Sequence, residues 1–488
     1  SCAQFFTLLM KKLILTGNNL TLEDIEQVAR FFVLVELDGE AIKVVRKSRD
    51  IVERKLSGGD LYYGLNTGFG DLCNVKISKE DVRKLQTNLL RSHAVGVGDL
   101  LSEEVVRALM VIRINTLLQG NSGVRLEVVE LLRGLLNNGI HPCVPCQGSV
   151  GSSGDLAPLA HTSLPLIGEG EVFYKGEKME AAEALRLVGL KPLELESKEG
   201  LALINGTAVM CGVGTLALLD AENLTKMADV SGAMSLEALK GKDTFLREEI
   251  HKMRPHPGQI ASASNMRKLI QGSGILDQYR DSGKLQDAYS MRCIPQVHGA
   301  SRDALSYVRK VLEVEVNSVT DNPLIILETE EIISGGNFHG QPVALAMDFL
   351  AIGIAEIADI AEARVSRLIN SRYSDLPAFL VENSGLNSGF MVAQYTMAAL
   401  VSENKILCHP ASVDSIPTCA GQEDHVSMGT IAARKAASVV ANVMNVIAIE
   451  FLAAAQGLEF LKPFKSSEAI SAVHGLIRSE VPKLENDR

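Results

Sequence analysis

Apolar residues recur with a helical period along most of the chain, most clearly in three long stretches of its second half. These stretches are 343–369, 391–407 and 430–456. Each is much longer than an ordinary strand, so we predict three long helices. The first would contain about 27 residues and span about 40 Å. The second half of the chain is therefore predicted to be a helical bundle.

Capping residues mark several helix starts in the first half. Thr21-Leu-Glu-Asp24, Ser78-Lys-Glu-Asp81 and Ser102-Glu-Glu104 each place a hydroxyl and acidic side chains before an apolar run, which is typical of a helix N-terminus. Alternating residues at 171–175 and 311–316 predict two short strands. We expect a small β content in the first half and almost none beyond about residue 345.

These patterns predict a mostly α fold class, with a smaller N-terminal mixed part that contains minor β structure. Glycine-rich segments separate the N-terminal helices, and a charged segment at 194–199 precedes the next apolar run. We place a domain border near this point. The predicted domains are 1–205, which is N-terminal, and 206–488, which forms the central and C-terminal long-helix bundle.

Composition narrows the classes of partner. The 488 residues have a formal net charge of −11, which argues against nucleic acid and against an anionic membrane surface. The chain contains no Trp, so platforms for base stacking are not expected. Apolar residues make up 46% of the chain. This share suggests long helices that are buried against other helices or other subunits.

Nothing in the sequence predicts export or membrane insertion. Residues 2–10 are apolar but lack a basic flank and a small-residue cleavage site, so we predict no signal peptide. No stretch of about twenty uncharged apolar residues occurs, so we predict no membrane span. Eight cysteines in a chain of this length do not suggest a disulfide framework, and a cytoplasmic location fits best.

One cysteine pair resembles half of a metal site. Cys143 and Cys146 lie close to His141, but no second pair with ligand spacing follows, so we predict no metal. Whether the two cysteines form a disulfide stays open.

The polar segment Gly148-Ser-Val-Gly-Ser-Ser-Gly-Asp-Leu156 lies between apolar stretches. In a tight kink, the Gly154 nitrogen could approach the carbonyl carbon of Ser152, because glycine leaves that nitrogen unhindered. Ring closure, loss of water and dehydration of Ser153 would give a five-membered ring with an exocyclic methylidene. Such a ring is an electrophile that no side chain supplies. An ordinary turn or an anion-binding nest is the alternative interpretation.

Several other loops carry more polar groups than a structural role alone explains. Tyr63-Gly-Leu-Asn-Thr-Gly-Phe-Gly70 would present a phenol, although a surface Ω-loop is an equally good explanation. His93 precedes a helix break, where a satisfied core histidine is the commoner explanation. The remaining segments are 203–207 with Asn205, 286–292 with Gln286, Tyr289 and Arg292, 335–341 with Phe338, and 422–427 with Glu423.

Taken together, these segments resemble the family of histidine and aromatic amino acid ammonia-lyases, over roughly residues 11–485. The closest matches are 148–161, 286–299, 336–339, and 402–405 through 422–428. Matches of this length in this order are specific. The triad of the family is usually Ala-Ser-Gly, whereas this chain has Ser152 first. Because that residue contributes mainly its carbonyl, we expect serine to be tolerated.

The resemblance implies a cofactor and an assembly. Ser152-Ser153-Gly154 would form 4-methylidene-imidazol-5-one (MIO) autocatalytically, so that no exogenous cofactor is needed. The implied fold is a long-helix bundle of the ammonia-lyase type, with the MIO loop in the N-terminal part. The implied assembly is a homotetramer with active sites shared between subunits.

The resemblance also implies roles for the loop residues. Tyr63 is the candidate base for the substrate β-proton, although a phenol titrates at about pH 10 and would have to ionise more readily. Arg292 would hold the substrate carboxylate, because a guanidinium fork matches a carboxylate. Asn205, Gln286 and Tyr289 would bind the substrate or polarise the ring, and Phe338 would line the pocket.

Two positions bear on the substrate. Histidine-specific members carry a histidine in a Ser-His pair and a glutamate in Gln-Glu-Asp-His, which are present here as His93 and Glu423. Imidazole nitrogens are costly to bury without hydrogen bonds, and these side chains can provide them. A tyrosine-selective site often keeps the histidine, so Glu423 discriminates better.

The resemblance therefore implies elimination of ammonia from L-histidine to give trans-urocanate, the first step of histidine degradation. The alternatives are a tyrosine or phenylalanine ammonia-lyase or a 2,3-aminomutase of the same family. A non-enzymatic helical scaffold is an alternative of another class.

Overall fold

A computed structural model describes residues 12–58, 61–68, 70–72, 75, 77–78 and 80–488. The segment 2–10, for which the sequence predicts no signal peptide, lies outside the described residues. Helices dominate the described chain and confirm the mostly α fold class.

The α-helices are α1 Leu22–Phe31, α2 Gly39–Ser57, α3 Val82–His93, α4 Glu103–Leu118, α5 Leu126–Asn137, α6 Leu156–Ser163, α7 Ala181–Val188, α8 Glu199–Ile204, α9 Ala208–Ala238, α10 Glu248–Lys252, α11 Pro257–Leu269, α12 Gly274–Gln278, α13 Tyr289–Arg292, α14 Ile294–Glu315, α15 Gln341–Leu368, α16 Ser371–Ser374, α17 Met391–Leu407, α18 Gly429–Glu459 and α19 Glu468–Glu480. Short 3-10 turns lie at Gly70–Leu72, Leu164–Ile167, Thr244–Leu246, Ala378–Leu380 and Cys419–Gly421.

The strands are β1 Lys12–Leu15, β2 Leu34–Leu37, β3 Val97–Leu100, β4 Ile140–Pro142, β5 Pro145–Gln147, β6 Glu171–Tyr174, β7 Glu177–Glu180, β8 Leu324–Ile326 and β9 Glu331–Ile333. β1 and β2 pair in parallel, with Lys12 opposite Leu34. The pairs β3–β5 and β8–β9 and the order β4-β6-β7 are antiparallel. Within the described residues, no strand follows Ile333, as the sequence predicts.

The three long helices are confirmed as α15, α17 and α18, and their bounds differ from the predicted ones by at most three residues. Two predicted helix starts are also confirmed. Thr21 forms a capping box with Asp24, and the Ser102 hydroxyl accepts from the backbone N–H of Val105. The helix predicted to follow Ser78 is α3, and it begins later than predicted, at Val82. The Ser78 hydroxyl donates to the carboxylate of Asp81, which precedes that helix.

The predicted strand at 171–175 is confirmed as β6, but the prediction of a strand at 311–316 is wrong. Most of that segment belongs to α14. The buried residues are Leu305, Val308, Leu312 and Val316, which recur at intervals of three and four. The helical period over the longer window therefore overrides the short alternation.

Packing divides the chain into two compact units. Unit 1 comprises Ser1–Leu216, as far as it is described, with Arg309–Asp348 and Pro410–Arg434. Unit 2 comprises Ala217–Val308, Phe349–His409 and Lys435–Arg488. The sequence-based division after residue 205 stays a prediction.

The core of unit 1 forms around α4, which is buried at every position from Val106 to Leu118. Burial on all sides is typical of a central helix. α4 packs against α1 and α5, while α3, α6 and α8 pack against one another. Three predicted site segments adjoin helices of that second cluster: α3 ends at His93, α6 begins after the triad, and α8 ends before Asn205.

Unit 2 contains a buried ion pair between Arg364 and Glu450, in which Nε and Oε1 lie 2.5 Å apart. The hydroxyls of Ser231 and Ser235 donate to the same carboxylate over 2.7 and 2.8 Å. Arg364 also donates to the carbonyl oxygen of Ser290 over 3.3 Å. These bonds connect α9, α15 and α18 to the short helix α13.

One helix of the described chain, α18, is long and apolar enough to cross a membrane by length and composition alone. Its Glu450 is fully buried in the ion pair with Arg364. The core helix of a globular protein passes the same test, so α18 is weak support for a membrane span.

Candidate active site

The triad Ser152-Ser153-Gly154 lies in the unit 1 loop between β5 and α6, and its backbone is kinked. Ser153 has a φ of +50°, a left-handed conformation that is costly for a residue other than glycine. Both serine side chains are half-buried. The kink falls on the residues for which the sequence predicts ring closure.

Gly154 pairs with Gly206 through the backbone. The Gly206 N–H donates to the Ser153 carbonyl over 3.0 Å, and the Asp155 N–H donates to the Gly206 carbonyl over 2.8 Å. A Cβ atom at position 154 would overlap that Gly206 carbonyl, so only glycine fits there. Among the residues that the structure describes, the Gly154 N–H makes one long contact, 3.4 Å to the Gly151 carbonyl. The nitrogen that would close the ring is therefore weakly engaged, and the residues present fit MIO formation.

Asp155 connects the triad loop to two helix starts. Its Oδ2 accepts from the backbone N–H groups of Val209 and Met210 over 2.9 and 3.0 Å, at the N-terminus of α9. Its Oδ1 accepts from the Thr430 hydroxyl over 2.6 Å, at the start of α18. Burial raises the pKa of Asp155 to about 6, although these hydrogen bonds oppose the shift.

Glu423 lies directly beside Ser153 of the triad. The Ser153 hydroxyl donates to Glu423 Oε1 over 3.4 Å, and the Thr418 hydroxyl donates to Oε2 over 2.7 Å. Thr418 and Glu423 also pair through their backbones. The structure thus places a half-buried carboxylate, held by Thr418, at the triad.

His93 is the last residue of α3 and is held in one tautomer. Its Nδ1 lies 2.9 Å from the carbonyl oxygen of Leu89, which can only accept, so Nδ1 carries the proton. Burial lowers the pKa of His93, and the negative charge of Glu423 partly opposes this shift. The neutral ring therefore has Nε2 as an acceptor, and it lies close enough to Glu423 to interact with its charge.

Tyr63 lies in a turn whose loop contacts the Glu423 segment. The backbone N–H of Gly70 donates to the Tyr63 oxygen over 3.3 Å. Gly70 packs so closely against Cys419 that a Cβ atom at position 70 would overlap its sulfur. Because Cys419 adjoins Thr418, contacts run from Tyr63 to Glu423.

Asn205 follows α8 and is buried. Its Nδ2 donates to the carbonyl oxygen of Asn322 over 2.9 Å and to Asp321 Oδ1 over 3.4 Å. Since Gly206 comes next in the chain and bonds to Ser153, Asn205 is held close to the triad.

Phe338 is half-buried in a loop that packs beside the Glu423 segment. Nε2 of the adjacent His339 lies 3.2 Å from the carbonyl oxygen of His425. The two histidine rings are 5.6 Å apart between centroids. The loop that carries Phe338 is thereby joined to the one that carries Glu423.

The other three predicted residues belong to unit 2. The Arg292 guanidinium lies 4.6 Å from the centroid of the Tyr289 ring, and Tyr289 is 69% exposed. Gln286 and Arg292 line one open groove of about 440 Å³. The structure therefore groups these three residues with one another, in a unit separate from the triad.

The cysteines near His141 show no metal geometry. Cys143 and Cys146 are free thiols, and His141 Nε2 lies 3.1 Å from the guanidinium of Arg107. Among the residues that the structure describes, no group of three or more His, Cys, Asp or Glu side chains could hold a metal ion.

Sequence reasoning missed three groups at this site: Asp155, Gly206, and the buried pair Lys198–Asp321, whose Nζ and Oδ2 lie 2.8 Å apart. Asp155 directly follows the triad, so its position was a usable signal. Gly206 lies in the segment 203–207 that the sequence marks for Asn205. No local pattern marks the pair Lys198–Asp321, whose members are 123 residues apart.

A family model described as "Aromatic amino acid lyase" matches residues 20–479 of the chain. A histidine ammonia-lyase of Alkaliphilus oremlandii is 52% identical over 479 residues, which cover 98% of this chain and 94% of that protein.

Solved structures show the same likeness. The crystal structure of a histidine ammonia-lyase from Trypanosoma cruzi has a TM-score of 0.91 at 43% identity, and covers 98% of this chain and 91% of that one. The structure of a tyrosine aminomutase from Streptomyces globisporus has a TM-score of 0.93 at 42% identity, with 98% and 94% covered.

Proposed function

Because the chain belongs to the aromatic amino acid lyase family, and is thus a carbon–nitrogen lyase, we propose that it eliminates ammonia from L-histidine to give trans-urocanate. The observation that carries this proposal is the pair of acceptors near the triad, His93 Nε2 and the Glu423 carboxylate. Relatives named histidine ammonia-lyase support the same substrate.

Two acceptors suit the protonated imidazole ring, which has two N–H donors. His93 is neutral near pH 7 because burial lowers its pKa, so its Nε2 can accept one imidazole N–H. The Glu423 carboxylate can accept the other and favours a partly protonated ring. A phenyl ring offers no donor and would leave both acceptors unsatisfied, at a cost of about 1–3 kcal/mol each.

We propose Ser152, Ser153 and Gly154 as the residues that form MIO. Once formed, the ring supplies an electrophile for the substrate amino group. The strained Ser153 backbone and the lack of room for a Cβ atom at position 154 support this assignment.

The remaining roles follow from the chemistry of each side chain. Tyr63 takes the β-proton, and its oxygen accepts a hydrogen bond from the N–H of Gly70. Arg292 holds the substrate carboxylate with its guanidinium fork. Asn205, Gln286 and Tyr289 bind the substrate or polarise the ring, and Phe338 lines the pocket.

The proposed assembly is a homotetramer in which subunits share active sites. Unit 2 presents Gln286 and Tyr289 at its surface, where residues supplied to a neighbouring subunit would have to lie. Exposed apolar side chains such as Leu345, Phe349 and Ile352 fit burial in subunit interfaces. The proposed location is the cytoplasm, to which the free thiols of Cys143 and Cys146 are suited.

The test combines an intact mass with a product assay. We expect the purified protein to weigh less than its sequence by two water molecules. We also expect it to convert L-histidine into a product with the near-ultraviolet absorbance of urocanate. Ser153→Ala should lack the mass deficit and the activity. Cinnamate from phenylalanine, coumarate from tyrosine, or a β-amino acid, each without urocanate from histidine, would contradict the proposed substrate.

A further variant isolates the substrate choice. Glu423→Gln removes the charge near the triad, so kcat/KM for L-histidine should fall about tenfold to a hundredfold, as for a lost hydrogen bond to a charged group. Glu177→Gln, an exposed glutamate on β7, is the matched control and should leave kcat/KM unchanged.

A further inference from the structure

A buried ion pair lies behind the predicted site residue Asn205. Lys198 and Asp321 are both completely buried, with Nζ and Oδ2 2.8 Å apart. Lys198 also has a φ of +75°, an unfavourable backbone conformation for a residue with a side chain. Burying two charges commonly costs as much as their attraction returns, so such a pair is weak evidence for a contribution to stability.

The geometry of α8 suggests what the pair does. Lys198 precedes the first residue of this six-residue helix and Asn205 follows its last residue. Both side chains bond to the same carboxylate: Lys198 to Oδ2, and Asn205 to Oδ1 over 3.4 Å. Asp321 thus holds α8 at both ends.

The other bonds of Asp321 and Asn205 complete the arrangement. Asp321 Oδ1 accepts from the backbone N–H of Asn322 over 2.7 Å, and the Asn322 carbonyl accepts from Asn205 Nδ2 over 2.9 Å. Both amide protons of Asn205 are therefore directed at one short segment, which leaves its carbonyl as the remaining hydrogen-bonding group. The next residue, Gly206, bonds to the Ser153 carbonyl over 3.0 Å.

We propose that Asp321, paired with Lys198, is a positioning residue that holds the Asn205 amide and the adjoining Gly206 backbone against the triad. This role rests on the proposed function, because it assigns Asn205 a place in the lyase reaction. The hydrogen bonds of Asp321 go to Lys198, Asn205 and the Asn322 backbone, so it acts through Asn205.

The test is a double-mutant cycle in the full-length protein. Asp321→Asn keeps the shape of the side chain but removes the charge that binds Lys198. We expect kcat with L-histidine, divided by the ring-containing fraction measured by intact mass, to fall at least tenfold, while KM changes less than about threefold. In an Asn205→Ala background the same substitution should change kcat less than twofold, since Asp321 acts through Asn205.

Asp321→Asn leaves Lys198 buried without its partner and can impair folding. The double variant Lys198→Met, Asp321→Asn removes both charges at nearly constant volume, and it should fold and show the same loss of kcat. The matched control is Glu199→Gln. Glu199 is the first residue of α8, and the substitution removes its ion pair with Arg125. This variant should keep kcat within twofold of the parent.

Three results would overturn the positioning role. They are an unchanged kcat in the Lys198→Met, Asp321→Asn double variant, an equal loss in the Asn205→Ala background, and an equal loss in Glu199→Gln. A parent protein that forms no urocanate would instead contradict the proposed function, so the two failures are distinguishable.

Discussion

At the scale of single residues, the triad depends on the absence of side chains at two positions. Gly154 has a φ of +84° and faces the Gly206 carbonyl, and Gly206 has a φ of +117° and faces Thr320. A methyl group at either position would collide with backbone oxygen atoms. The close approach of these two glycines therefore depends on their having no Cβ atom, in addition to the freedom of φ that glycine brings.

This distinction predicts different results for two glycine substitutions. Gly154→Ala should abolish both the mass deficit of two waters and the lyase activity, because the Cβ atom has no room. Gly176→Ala also places alanine at a positive φ, of +82°, but nothing lies within 4 Å of its Cβ atom. It should cost about 1–2 kcal/mol of stability and keep the ring, as intact mass and thermal unfolding would show. Ring formation in Gly154→Ala would contradict the steric argument.

At the scale of elements, the site depends on how helix ends meet. α3 ends at His93, α6 begins just after the triad, and α9 begins at the backbone N–H groups that bond to Asp155. The N-terminus of a helix carries unsatisfied N–H groups and a partial positive charge. Asp155 satisfies two of these N–H groups at the cost of being fully buried.

The burial of Asp155 predicts a pH dependence of stability. Its pKa is about 6 in the folded protein and about 3.9 in an unfolded chain. Between these values the folded state retains a proton that the unfolded state has lost. The contribution of Asp155 to the free energy of unfolding therefore falls as pH rises from about 4 to 6. The asparagine of Asp155→Asn does not titrate, so this variant should not show that pH-dependent loss.

Melting temperatures at pH 4.5 and pH 7 measure the effect. The parent should gain stability relative to Asp155→Asn at the lower pH. Asp38→Asn is the matched control, because Asp38 caps α2 at the surface through two backbone N–H groups. A parent-to-variant difference that is the same at both pH values for Asp155→Asn would show that this carboxyl titrates normally.

At the scale of the whole molecule, the predicted site residues fall into two groups. Tyr63, His93, the triad and Glu423 belong to unit 1, whereas Gln286, Tyr289 and Arg292 belong to unit 2. If subunits share sites, the two groups that form one site come from different copies of the chain.

Complementation tests this arrangement. Tyr63→Phe and Arg292→Met should each have little activity alone, but coexpression in equal amounts should restore about a quarter of the parent activity, because random assembly gives that share of sites two intact groups. The control pair is Tyr63→Phe with Ser153→Ala. Both positions lie in unit 1, so this pair should restore none. Equal recovery in the two pairs, or none in either, would contradict shared sites.

The sequence by itself determined the helical fold class, the bounds of the long helices and the family. These follow from local periodicity and from motifs of several consecutive residues, both of which can be read without knowing which distant residues they contact. Local alternation failed at 311–316, because burial of Leu312 and Val316 along a helix outweighed it. The roles of the individual site residues stay predictions until the experiments above are done.

Only the tertiary structure decided which distant groups meet. It placed Glu423 beside Ser153, Asp155 at the start of α9, and Asp321 between Lys198 and Asn205. The partners of each contact are separated by about fifty to several hundred residues, and each contact satisfies a buried or half-buried polar group whose partner no local pattern can predict. Packing selects such partners, since a buried charge or amide is stable only where the folded chain supplies its complement.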